Sequence, residues 1–62
     1  MKNKRIRKAM TDAGITQFQL AELLGVKPPE MSIMMKYELA VREQNDIVSK
    51  IREYDALRKR GA

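Results

Sequence analysis

Thirteen basic side chains against eight acidic ones, with no histidine and no cysteine, bound the chemistry open to this 62-residue chain. Without histidine or cysteine there is no ligand set for structural zinc, no disulfide framework and no imidazole acid–base chemistry. The carboxylates are scattered and no Gly-rich phosphate loop accompanies them, so the chain holds no catalytic constellation and calls for no cofactor; an enzyme is not expected. What remains is the binding of anions. A net charge of +5 and a pI near 9.9 put positive potential over much of so small a surface, which favours polyanions. Lys2, Lys4, Arg5, Arg7 and Lys8 crowd one end of the chain, Arg58, Lys59 and Arg60 the other, and the acids lie mostly between. A phosphate footprint explains that clustering better than solubility does, although basic chain ends also occur as solvated, frayed segments.

These groups must be carried by helices, and the stretch Thr16 to Tyr37 organises them. Thr16 with Gln19 three residues on reads as a capping box, and Ile15 can staple against Leu20, so a helix starts at about Gln17. Leu20, Ala21, Leu23 and Leu24 give it a buried stripe, and Gly25 ends it as a left-handed residue, placing it at 17–24. Val26 plugs the corner. Pro28 and Pro29 are tolerated only in a first helical turn, so the next helix spans about 28–36. Its Met31, Met34 and Met35 turn inward, with one of the last two expected to stay partly exposed, while Pro29, Ser32, Ile33 and Lys36 fall on the opposite face.

A first helix over about 3–13 follows from Ile6, Ala9, Met10 and Ala13, with Asn3 as its cap and Gly14 as its stop. Basic residues in its first turn oppose the helix dipole, which implies another reason for them, such as a nearby phosphate. Leu39 is expected to tuck inward in a short connection, and a fourth helix over about 40–57 carries the stripe Val41, Gln44, Ile47, Val48, Ile51, Tyr54 and Leu57 as the lid of the core. Asp46 and Lys50 are spaced for an exposed ion pair. The tail 58–62 has no apolar anchor and is expected to fray. The fold class expected is therefore all-α, one small domain over 1–62 of four helices or five. No apolar run approaches the ~20 residues that span a bilayer, and MKNKRIRKAM has no apolar signal core, so the expected location is cytoplasmic, with no membrane partner.

Leu20, Ala21, Leu24, Gly25, Val26, Met31 and Met34 resemble the apolar and small positions of the phage-repressor-like helix-turn-helix, the Cro and lambda-repressor type, over roughly residues 3 to 57. The resemblance implies a lambda-repressor-like fold and a transcriptional regulator, prokaryotic or phage-like, that docks helix 28–36 in the major groove of double-stranded DNA. Gln17 matches a glutamine common at the start of the family's second helix, where it would hold a phosphate.

On that reading Lys27 and Lys36 neutralise phosphates, as do Lys4 and Arg5 of the first helix, and Lys36 can also reach a guanine edge. Ser32 and Ile33 stand where the family usually reads bases, with Pro29 beside them, and Ile33 can pack on a thymine methyl. The face carries no arginine, glutamine or asparagine, so base readout is expected to be weak. Tyr37 can donate to a phosphate or cap the packing. A homodimer is expected because such domains usually bind as two-fold pairs, through the outer part of the last helix or the Leu39 corner. The alternative is a protein-interaction module, in which Ile33, Pro29 and Met34 present an apolar patch to another protein. A third reading, basic termini as RNA- or membrane-binding arms, ranks last, since Phe18, Tyr37 and Tyr54 are isolated from one another.

Overall fold

A computed structural model describes residues 2–61 and places four helices in them with no strand: α1 (Lys4–Ala13), α2 (Gln17–Leu24), α3 (Pro28–Lys36) and α4 (Val41–Gly61). The all-α expectation is met. Helices α1, α2 and α3 are too short to persist alone, so burial of one shared core holds them. That core is Ile6, Ala9, Ala13, Ile15, Leu20, Ala21, Met31, Met35, Ile47 and Ile51, and α4 packs along both α1 and α2.

The local signals act as the residues demand. Thr16 Oγ1 accepts from the Gln19 N–H at 3.1 Å while the Gln19 side chain accepts from the Thr16 N–H at 2.8 Å, and Ile15 and Leu20 are buried together beneath this cap. Gly14 and Gly25 end their helices at φ 67° and 72°, a region closed to most L side chains. Both prolines occupy the first turn of α3. Of its methionines, Met31 and Met35 are buried and Met34 is the one left half-buried.

Four expectations need correction. Asn3 precedes α1, yet its side chain caps nothing: it sits in the left-handed region at φ 57° and is fully buried. Its Oδ1 accepts from the Leu39 N–H at 2.8 Å, its Nδ2 donates to the Tyr37 carbonyl at 2.9 Å, and its own N–H donates to Glu38 Oε1 at 2.9 Å. Buried Gln44 completes the arrangement by donating to Glu38 Oε2 at 2.6 Å and to the Leu39 carbonyl at 2.9 Å. The glycine-free connection between α3 and α4 is therefore shaped by side chains from both its flanks. Those two donors also hold the Glu38 carboxyl below its ordinary pKa, the Asn3 backbone N–H first and the Gln44 amide second.

The tail does not fray at Leu57. Instead α4 continues to Gly61, because Arg58 lies over the Tyr54 ring at 5.5 Å, donates to the Ala13 carbonyl and, with Lys59, pairs with Asp55. Cations in a last turn also suit the helix dipole. Ala62 lies outside the described residues. Val41 and Leu57, expected in the buried stripe, are 57% and 59% exposed. A 21-residue helix is roughly 31 Å long, close to the molecule's full 34 Å extent, so its ends overhang the shorter helices beneath. The expected Asp46–Lys50 pair is not formed; Lys50 lies along the groove beside Leu23, Tyr54 and Leu57, and besides the pairs of Asp55 an exposed one forms between Lys8 and Asp12 at 3.1 Å.

Candidate nucleic-acid interface

Helix α3 turns Pro29, Ser32, Ile33 and Lys36 to solvent, with Lys27 exposed at its start and Tyr37 at its end. The inward placement of Met31 and Met35 forces this, since the outer residues fall on the opposite side of the helical wheel from them. Because α4 lies on α1 and α2, its body leaves that face uncovered. The first turn of α2 reaches the same surface: Gln17 is half-buried, and its Nε2 donates to Ser32 Oγ at 2.9 Å. Two residues fifteen apart in sequence are thus joined across the two helices. The contact uses one amide hydrogen of Gln17 and leaves its carbonyl oxygen free of that bond, while the serine hydroxyl still has a proton to donate.

The basic residues of α1 divide. Lys4 follows Asn3, whose amide holds the Tyr37 carbonyl, so the start of α1 stands at the end of α3. Arg7 reinforces that junction, donating from Nε to the Lys2 carbonyl at 2.9 Å and from Nη2 to the Met35 carbonyl at 3.5 Å. Arg5 is turned elsewhere: its guanidinium donates to Asn45 Oδ1 on α4 at 3.2 Å. At about 100° per helical residue, Arg5 and Arg7 leave α1 on opposite flanks. The structure therefore gathers Gln17 and Ser32, lines Pro29, Ile33 and Lys36 along the same helix, and sets Arg5 apart from them.

No family model, curated protein or solved structure matches the chain.

The face mixes acceptor, donor, cation and apolar groups in the open. Ile33 is 57% exposed, a large apolar side chain between two polar neighbours, Ser32 and, one turn on, Lys36. Among the described residues no cluster of histidine, cysteine and carboxylate side chains could hold a metal ion, and no helix is long and apolar enough to cross a membrane. Phe18, expected only as an isolated aromatic with no role at this face, is 59% exposed in the first turn of α2 beside Gln17. Its position off the Leu20, Ala21 and Leu24 stripe was a signal available in the spacing.

Proposed function

We propose that this chain is a small helix-turn-helix domain of the phage-repressor type that binds double-stranded DNA, with α3 in the major groove. The observation that carries the reading is the uncovered outer face of α3, where Ser32, tied to Gln17, stands beside Ile33 and Lys36. Lys27, Lys36 and Lys4 neutralise phosphates, and the α2 N-terminus with Gln17 clamps one backbone. Ser32 and Lys36 then offer hydrogen bonds to base edges, and Ile33 offers an apolar contact for a thymine methyl. Regulation would be steric, by occupancy of a site. A face with one serine, one isoleucine and one lysine reads few bases, so affinity comes mainly from phosphates and is strongly salt-dependent.

The exposure of Ile33 favours a second reading, in which the same face binds a protein. Selection of bound fragments from random duplex DNA at physiological salt separates the two. The DNA reading expects a short enriched motif, two-fold symmetric if the chain acts as a homodimer. Recovery no greater than from a bead control would contradict it.

A further inference from the structure

A second cationic feature lies on the other flank of α1. Between α1 and the first half of α4 runs a cleft of about 340 Å³ lined by Arg5, Lys8, Asn45, Val48, Ser49 and Arg52. Its charges are not equivalent. Lys8 is paired with Asp12 at 3.1 Å, and Asp55, which lines an adjoining cleft with Asp12 and Arg52, is held by Arg58 at 2.8 Å and Lys59 at 3.1 Å. Arg5 and Arg52 make no ion pair among the described residues, and the only side-chain bond made by either is from Arg5 to the neutral amide of Asn45. Two guanidiniums on facing helices thus stand outside any ion pair, in a cleft that also holds an amide and a hydroxyl.

We propose that this cleft is a phosphate site, separate from the face of α3, in which Arg5 and Arg52 grip a phosphate group from two sides. A guanidinium presents a planar fork that matches phosphate oxygens in pairs, and a lysine with its charge already paired does not compete for that role. The Asn45 amide and Ser49 hydroxyl supply neutral donors beside the fork. Arg5 leaves α1 opposite to Arg7, which is bonded to the end of α3, so a phosphate here does not occupy the α3 face. The site is independent of whether that face reads DNA.

The phosphate has two possible sources, a phosphodiester of nucleic acid or a free phosphorylated small molecule, and amide spectra of the ¹⁵N-labelled chain at low salt distinguish them. Inorganic pyrophosphate is expected to move the signals of Asn45, Ser49 and Arg52 in a saturable way, and R5Q/R52Q to weaken that response at least tenfold while Ser32→Ala leaves it unchanged. If a short random duplex moves the same signals and competes with pyrophosphate, the source is the nucleic-acid backbone. If only pyrophosphate moves them, the source is a free phosphorylated ligand. Shifts that never saturate, or that survive in R5Q/R52Q, overturn the site. Should that double variant unfold, Arg52→Gln alone, exposed on α4, is expected to weaken the response at least threefold.

Discussion

Replacing Asn3 with alanine tests how the end of α3 is held. The substitution removes the acceptor of the Leu39 N–H and the donor to the Tyr37 carbonyl, both at good distance and both within a fully buried side chain's reach. Each lost bond is worth about 1 kcal/mol, and leaving a half-buried N–H without a partner adds about 1 kcal/mol more. Alanine at φ 57° adds roughly another 1 kcal/mol. The expected loss is about 4 kcal/mol, against a total stability of roughly 3–9 kcal/mol for a domain of this size. Asn3→Gly keeps the backbone conformation and so is expected to cost about 1 kcal/mol less. Urea unfolding followed by helical circular dichroism reads both variants, with a stabilising osmolyte if the alanine variant unfolds in buffer. A cost for Asn3→Ala below about 0.5 kcal/mol would refute the claim that this side chain fastens α1 to the α3–α4 connection.

The depressed pKa of Glu38 makes stability sensitive to acid. Its contribution is present above the ordinary carboxylate pKa and is lost as pH falls through the lower folded value, so Glu38→Gln should flatten the acid limb of stability against pH; an unchanged limb counts against the Asn3 and Gln44 bonds as its cause. At Gly25, where no atom lies within 4 Å of an added Cβ, alanine should cost only the backbone penalty of about 1 kcal/mol at φ +72°, measured by the same unfolding. Truncating Arg58 to alanine frees the last turn of α4 from Ala13, Asp55 and Tyr54, so amide exchange of residues 58–61 should quicken; unaltered exchange would mean the turn is held otherwise. If α3 docks in DNA as proposed, Ile33→Ala should alter preference among DNA sites more than overall affinity, read by competition between duplexes.

Much of the fold was legible because its punctuation is local. A capping box, two left-handed glycines and a proline pair each act within one helical turn, and α2 and α3 begin and end where those residues require. The outward placement of Ser32, Ile33 and Lys36 followed from the same periodicity. Less legible was anything that depends on distant partners. The burial of Asn3 is decided by Leu39 and Tyr37, more than thirty residues away, and a lone asparagine before a helix reads as a cap. The last turn of α4 looked unanchored because its anchors are a backbone carbonyl of α1 and an aromatic face, which leave no apolar signature. The Gln17–Ser32 bond and the turn of Arg5 toward Asn45 likewise depend on how helices pack, not on residue type.

On the proposed function, a cationic α3 face binds duplex DNA chiefly through phosphates. Titrating salt against the affinity for a random duplex tests it most directly. Three to five neutralised phosphates predict a slope of log K on log salt of roughly −3 to −4.5, falling in magnitude by about one for Lys36→Ala. No binding at ~50 mM salt, or a slope indifferent to Lys36, would contradict the account.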